Sequence, residues 1–137
     1  MREILFRGRV INTYDERIGK WIFGHLVVRP DHEDGPDKYF ICESGYRFIR
    51  CLNKMPCTYE VDPETVGQYT GLTDKNGKRI FEGDVVYDGF TKDKVVFEDC
   101  QWNLVDRHGM WINLFNREVE VIGNIHDNPE LIAEVNK

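Results

Sequence analysis

The segment 64–86, ETVGQYTGLTDKNGKRIFEGDVV, decides the fold. Within it, Asn76-Gly77 lies between two strand-like runs. Asn and Gly tolerate the positive φ values that tight hairpin turns need. The other glycines of the segment, at 67, 71 and 83, fall where strands turn, bulge or approach another backbone. The segment therefore predicts a glycine-punctuated antiparallel hairpin.

Similar signals extend in both directions along the chain. Short runs rich in aromatic and β-branched residues recur about every 8 to 12 residues, with turn residues between them, which is typical of all-β folds. The ten-residue stretch RPDHEDGPDK, 29–38, reads as a surface loop. The predicted strands are 2–8, 20–28, 38–42, 46–51, 58–61, 66–72, 84–90, 93–98, 101–105, 110–115 and 118–125.

A junction is predicted near 62–66, where two prolines and a change in charge balance interrupt the strands. We therefore expect two small β units, an N-terminal domain over 1–63 and a C-terminal domain over 64–137. Neither half buries much surface alone, and the short strands leave edges to cover. We expect the units to pack on each other or on other copies, so a homo-oligomer is predicted.

The C-terminal part changes from strand to helix. In 118–125, the alternation predicts that Val119, Val121, Gly123 and Ile125 face one way and the two glutamates the other. A single short helix is predicted over 129–136, because Asn128 is a favourable cap and Pro129 fits the first helical position. We expect an apolar face of this helix to pack on the sheets.

Composition limits the class of protein. The 137 residues are 31% charged with 12% aromatic residues, which fits a folded, water-soluble domain rather than a membrane protein. The opening MREILFRGRV carries four charges where a signal peptide needs an apolar core, so a cytoplasmic location is expected. With no secretory signal, the four unevenly spaced cysteines are expected to be reduced. They are Cys42, Cys51, Cys57 and Cys100.

Charge argues against nucleic acid as the main ligand. The net charge is −6, and residues 67–137 hold eight Lys/Arg against thirteen Asp/Glu. Phosphate binding usually needs clustered cations. The only local excess is near the N-terminus, and it reads as a solvated strand face more readily than as a nucleic-acid arm. It comprises Arg2, Arg7, Arg9, Arg17 and Lys20.

Several motifs together resemble the YopX family of phage and prophage proteins. They are TVGQYTGL at 65–72, DKNG at 74–77, EGDVV at 82–86, VIGNI at 121–125 and NPEL at 128–131, with the opening MREILFRGR. Between 11 and 63 only KWIFG, at 20–24, is distinctive. The resemblance implies a largely β protein with an SH3-like C-terminal barrel, encoded by a phage, working in the bacterial cytoplasm and able to form homo-oligomers. It implies no established activity.

Most of these motif residues read as fold determinants. Asp84 follows Gly83 and is expected to hydrogen-bond the neighbouring backbone and start a strand. The alternative is an interaction surface that includes Gln68, Tyr69 and Asp84. Four aromatic side chains, Tyr87, Phe90, Trp102 and Trp111, are further candidates. Core packing is the default for such side chains, and a surface presented to a peptide or a base is the alternative.

The sequence gives no sign of catalysis, and we expect neither a metal nor a cofactor. The cysteines and histidines lack the close pairs of a zinc site. The acidic run 31–34 fits a solvated loop better than a cation site. Ser44, the only serine, lies outside a nucleophile elbow, and GLTDKNGK lacks the Ser/Thr of a phosphate loop. Glu98 and Asp99 point to opposite faces.

Three functions remain after these exclusions. The first is a non-enzymatic phage accessory protein that binds a host or phage protein through a β surface and self-associates. The second is a nucleic-acid-binding module that combines the N-terminal arginines with the aromatic residues. The third is an enzyme with an acidic site drawn from distant residues.

Overall fold

The computed structural model describes residues 3–13, 16–30, 35–43, 58–114 and 117–133. Within it the chain forms two compact units, Met1–Gln68 and Tyr69–Lys137. The sequence places its domain boundary at 63/64. That boundary stays a prediction, because compactness does not test whether either part folds alone.

The first unit is an antiparallel sheet with the order β4-β3-β2-β1-β5. Its core is a cluster of aliphatic side chains at Val10, Ile22, Ile41 and Val61. The strands are β1 (Phe6–Arg9), β2 (Trp21–Arg29), β3 (Lys38–Glu43) and β4 (Thr58–Val61), followed by a 3₁₀ turn (Pro63–Thr65) and the start of β5 (Gly67–Thr73).

The continuation of β1 closes this sheet onto β4. Val10 bridges Val61, and the amide of Ile11 donates to the carbonyl of Glu60 at 2.9 Å. Gly8 lies opposite this contact, where a Cβ would come within 2.8 Å of the Val61 side chain. Real Cβ atoms do not approach a neighbour so closely, so the closure requires glycine at position 8.

The second unit contains the β5–β6 hairpin and a five-stranded antiparallel sheet with the order β10-β9-β8-β7-β11. Its core comprises Ile80, Val86, Val95, Leu104, Leu114 and Val119. The elements are β6 (Arg79–Phe81), β7 (Asp84–Tyr87), β8 (Lys92–Glu98), β9 (Gln101–Asp106), β10 (Trp111–Asn113), β11 (Glu120–Asn124) and a one-turn helix α1 (Glu130–Ala133).

The all-β prediction with two units is confirmed, and the described residues contain one short α-helix, at the predicted place. The predicted hairpin is also confirmed: β5 pairs with β6 in antiparallel register, and Gly77 in the turn has φ +83°. β6 is absent from the predicted strands because its three residues lie between two turns. The predicted strand 46–51 lies outside the described residues, and the SH3-like form of 64–137 stays a prediction.

The prediction for β11 is wrong in one respect. Val121 pairs with Val86, but Gly123 pairs with Val85, so the register shifts between them. Because Val85 and Val86 are neighbours in one strand, their side chains point to opposite faces. Val121 therefore packs on the core while Gly123 lies on the other face. Such a bulge breaks the two-residue alternation on which the prediction rested.

Within the described residues the helix α1 begins at Glu130, one residue later than predicted, and the rest of the predicted range, 134–136, lies outside them. The Asn128 side chain accepts the Asn124 amide at 3.3 Å, instead of the helical amides that a cap would satisfy. α1 packs on β8, and the Leu131 methyl lies 3.0 Å from where a Cβ on Gly123 would be. The predicted packing of this helix on the sheet is therefore confirmed. None of the described helices has the length and apolar run needed to cross a membrane.

Candidate functional site

Asp74 occupies the start of the hairpin turn and is buried. Its carboxylate accepts the amides of Asn76 at 2.8 Å, Lys78 at 2.9 Å and, from β11, Val121 at 2.9 Å. Burial acts to raise the pKa of Asp74, but these three backbone donors and the Lys78 charge hold it below its usual value. The carboxylate therefore joins the turn to a strand 47 residues away.

Asp84 and Tyr69 are both buried beside this hairpin. Asp84, 2% exposed, accepts the Phe81 amide at 2.8 Å across the β6–β7 turn. The Tyr69 ring packs on the Phe81 ring with centroids 5.6 Å apart. The structure thus brings Asp84 and Tyr69 together through Phe81, and Asp84 makes the backbone bond that the sequence predicts. Their role in binding stays a prediction.

Gln68 and Trp102 are half-buried and do not join that pair. Gln68 lies opposite Phe6 of β1 in the first unit. Trp102 packs against the core of the second unit, with its ring 4.8 Å from that of Phe97. Its buried indole N–H has no partner within the described residues. Trp102 therefore serves mainly as a core side chain.

Trp111 differs from the other four, because it is 56% exposed on the edge strand β10. On the inner side of β10, the Asp106 amide donates to the Met110 carbonyl and the Leu114 amide to the Trp102 carbonyl. Hydrogen-bonded positions alternate along an antiparallel pair. The backbone of Trp111 therefore points away from β9, and an exposed aromatic side chain coincides with an outward-facing N–H and C=O.

Cross-strand register places Trp111 on one face of the five-stranded sheet, which we call the Trp111 face. Trp111 lies opposite Val105, Val105 opposite Lys94, and Lys94 opposite Val85. Directly opposed side chains share a face. Tyr87 and Lys92 form the next opposed pair on the same face. Val85 is fully buried, so the solvent-accessible side chains of the Trp111 face are Tyr87, Lys92, Lys94, Val105 and Trp111.

A fixed loop at the end of this face presents Phe90. The side chain of Phe90 is 91% exposed, although one Asp88 carboxylate oxygen accepts the amides of both Phe90 and Thr91 at 2.8 Å. The Thr91 amide, opposed by burial and aided by the Phe90 amide, lowers the pKa of Asp88. The Tyr87 hydroxyl donates to the Gly89 carbonyl at 3.0 Å. The loop therefore holds an aromatic ring in water.

A small cavity of about 180 Å³ opens beside Phe90. Its lining residues are aromatic, aliphatic and cationic, and two of them, Tyr87 and Thr91, carry a hydroxyl. Drug-sized ligands fill pockets of about 300 to 1,000 Å³, so this one has room for a single side chain or small group. The lining residues are Tyr87, Phe90, Thr91, Lys92, Arg107 and Leu131.

The carboxylates of Asp88 and Asp106, which lie near the cavity in sequence, are held by backbone amides. Asp88 holds the Phe90 loop, and Asp106 accepts the amides of His108 and Met110. Asp93 lies in register with Asp106 on the opposite face of the sheet from Lys92. Within the described residues, neither Lys92 nor Arg107 forms an ion pair.

Asp93 is buried, with 2% of its surface exposed. Burial raises the pKa of Asp93, and the negative charges of Asp88 and Asp106 add to the rise, although the Thr91 hydroxyl opposes it. Both carboxylate oxygens lie 3.2 Å from that hydroxyl. Within the described residues, no three His, Cys, Asp or Glu side chains are placed to hold a metal ion.

Comparison with protein families identifies the chain. The model of the YopX protein family matches residues 34–133, which is most of the sequence. The chain belongs to the YopX family. This match confirms the resemblance seen in the glycine-rich motifs, and it includes both the hairpin and the Trp111 face.

Two further comparisons add little about function. No curated protein matches this YopX-family chain. The crystal structure of protein EF1440 from Enterococcus faecalis is similar, with 23% identity over 96% of this chain and 99% of that chain, and a TM-score of 0.46. A likeness at this level says nothing about what either protein binds.

The sequence indicated only part of the Trp111 face. Trp111, Tyr87 and Phe90 were recognised as candidates, whereas Lys92, Lys94 and Arg107 were not. One signal was present, because Lys92 and Lys94 alternate with Asp93 and therefore share a face once the strand begins at 92 instead of 93. Arg107 had no such signal, since its place beside Lys92 depends on the β9–β10 hairpin.

Proposed function

We propose that this YopX-family chain is a phage or prophage accessory protein that binds another protein without catalysing a reaction, in the cytoplasm of a bacterial host. The family membership and the β architecture support this proposal. The observation that carries it is the edge strand β10, where the 56% exposed Trp111 lies beside outward-facing backbone groups.

An edge strand of this kind is suited to β-strand addition. An extended segment of a partner gains main-chain hydrogen bonds from the edge, while side-chain contacts give specificity. Tryptophan is enriched among the residues that dominate binding energy at protein interfaces. The partner is therefore proposed to be an extended segment of another protein, laid along β10 with side chains against the Trp111 face.

The two alternative functions receive less support. A nucleic-acid module is disfavoured by the eight basic against thirteen acidic residues of 67–137. The arginines Arg7 and Arg9 stack on Trp21 at 4.9 and 5.2 Å, so the N-terminal cations already contact an aromatic ring of the chain. For an enzyme, burial raises the pKa of Asp93, but this carboxyl lies on the face opposite Lys92.

The proposal is tested by affinity capture from a bacterial lysate with wild-type protein, W111A and a control. The control is Ile18→Ala, because Ile18 is 57% exposed and belongs to the first unit. We expect at least one protein to be recovered with wild type and with I18A, and about tenfold less of it with W111A. Equal recovery with all three baits would contradict the proposal.

A second variant separates the backbone contribution from the indole. Trp111→Pro removes the outward N–H as well as the ring, and an edge strand tolerates proline where its N–H faces away from the sheet. If the partner adds a strand, W111P weakens binding further than W111A, with both proteins unfolding at similar urea concentrations. Equal affinities would indicate side-chain contact alone.

Self-association is proposed as well, because β10 and β11 are edge strands of the five-stranded sheet. We expect the protein to scatter light as a dimer or larger species at micromolar concentration. A monomer at that concentration would remove self-association from the proposal and leave the partner-binding role intact.

A further inference from the structure

We infer that the segment bound at the Trp111 face is acidic and carries an apolar side chain that enters the cavity beside Phe90. This inference rests on the proposed function and specifies the chemistry of the partner. It follows from three features of the face: the placement of its cations, its fixed aromatic ring and the size of its cavity.

The placement of the cations is the first feature. Lys92 and Arg107 both line the cavity, and Lys94 lies on the same sheet face by register. The nearest carboxylate in register on this face is Glu120, opposite Tyr87, and it forms an ion pair with Lys75 at 3.9 Å. Glu98 is on the same face, but it lies at the opposite end of β8 from Lys92. A cationic patch that forms no ion pair among the described residues, in an acidic unit, fits an anionic partner.

The Phe90 loop is the second feature. Covering the exposed Phe90 ring removes apolar surface from water and therefore favours binding. Because hydrogen bonds already fix the loop, little conformational entropy is lost when a partner binds. Tyr87 and Leu131 complete an apolar wall around it. The cavity thus requires an apolar group, while Lys92 and Arg107 at the same wall require a negative charge next to that group.

The cavity size and the edge strand favour a polypeptide over a polynucleotide. A cavity of about 180 Å³ admits one side chain, and β10 offers backbone pairing that only a polypeptide can use. A long polyanion would also meet the net charge of −6, whereas a short acidic segment contacts the local cations alone.

The test uses arrayed octapeptides with the full-length protein. One array places a single Leu or Phe among Asp and Glu, a second replaces the acids by Asn and Gln, and a third replaces them by Lys. We expect binding to the acidic array, at least tenfold weaker binding to the neutral array and none to the basic array. The double variant K92E/R107E is expected to lose the acidic array and gain the basic one.

The matched control is the double variant R29E/K38E. Arg29 and Lys38 are exposed cations opposite each other on β2 and β3 in the first unit. We expect R29E/K38E to bind the acidic array like wild type. Equal losses in both double variants would reveal a general charge effect and overturn the inference.

Other outcomes separate the inference from the proposed function. If W111A weakens protein capture but K92E/R107E leaves the array pattern unchanged, the inference fails and the protein-binding role stands. If neither variant has an effect, both fail. Tight binding of fluorescein-labelled dT12 that falls steeply with salt and disappears in K92E/R107E would overturn the inference in favour of single-stranded nucleic acid.

Discussion

The hairpin segment 64–86 and the Trp111 face differ in which side chains are buried and which are exposed. In the hairpin, the carboxylates of Asp74 and Asp84 are buried and accept backbone amides, while Ile80 and Phe81 are in the interior. On the Trp111 face, aromatic side chains lie in water and cations lack ionic partners among the described residues.

This contrast assigns the buried residues of the hairpin to folding and the exposed residues of the Trp111 face to binding. A buried carboxylate that satisfies several amides costs little and fixes a turn, because each bond replaces one that water would make. An exposed aromatic ring and a solvated cation contribute little to stability, so both groups are available for contact with a partner. The most recognisable motif is therefore a folding device, and binding is assigned to less distinctive residues.

The largest effect is expected for the free energy of unfolding, when the buried carboxylate of Asp74 is removed from the hairpin. Asp74→Ala leaves three amides without their acceptor and should lower the free energy of unfolding by about 3 kcal/mol. The measurement is urea unfolding at pH 7. The control Asp37→Ala changes an exposed aspartate and should have no measurable effect.

The loss should depend on pH in a defined direction. The pKa of Asp74 is lower in the folded state, so its stabilisation is present above the unfolded pKa and disappears as pH falls through the folded pKa. The gap between wild type and D74A should therefore shrink below about pH 4. A gap that is constant from pH 7 to pH 2.5 would show that ionised Asp74 is not what holds the turn.

The next effect tests the binding side. Trp111→Ala should weaken partner binding about tenfold, while the urea midpoint stays close to that of wild type because the ring is largely exposed. The affinity is measured by titrating a captured partner. A W111A protein that unfolds much more easily would show that Trp111 belongs to the core, and the contrast between the two regions would fail.

A smaller effect on stability is expected for Asp93, which lies on the face of the sheet opposite the Trp111 face. Because the folded pKa of Asp93 is raised, its ionisation opposes folding as pH rises through that pKa. Asp93→Asn keeps an acceptor for the Thr91 hydroxyl and should raise stability at pH 7 by about 1 kcal/mol. The gain should vanish near pH 4, as thermal unfolding across that range would show. A loss of stability at pH 7 would contradict this description.

The smallest effect concerns the loop that presents Phe90. Asp88→Ala removes the acceptor for two amides, so the loop must become ordered when a partner binds. We expect about threefold weaker affinity with little change in unfolding, measured by the same titration. Phe90→Ala in the D88A background should then remove the remaining contribution of the loop. Unchanged affinity in D88A would mean that the loop order is irrelevant to binding.

Local chemistry made part of this structure predictable. The hairpin followed from Asn76-Gly77, because turn conformation depends on the residues in the turn. The β11 bulge did not follow, since the alternation of 118–125 looks regular and the shift arises from pairing with β7. Closure of the first unit was also not predictable from local sequence. The Val10–Val61 contact depends on how the strands β1 to β4 are arranged in the sheet.

The same limit applies to the candidate site. Trp102 and Trp111 have similar strand environments in the sequence, yet one packs on the core and the other lies on an edge. Exposure of an aromatic side chain depends on sheet order, which local pattern does not contain. The family motif includes Tyr69 and Asp84, but their burial depends on contacts with Phe81 that the sequence alone does not specify.

The contrast between the two regions requires that partner binding depends on Trp111 while folding depends on the hairpin. It is tested most directly by the amount of partner recovered per folded molecule from bacterial lysate, compared between W111A and wild type. We expect about a tenfold reduction for W111A, with its urea midpoint unchanged. Undiminished recovery by folded W111A would contradict it.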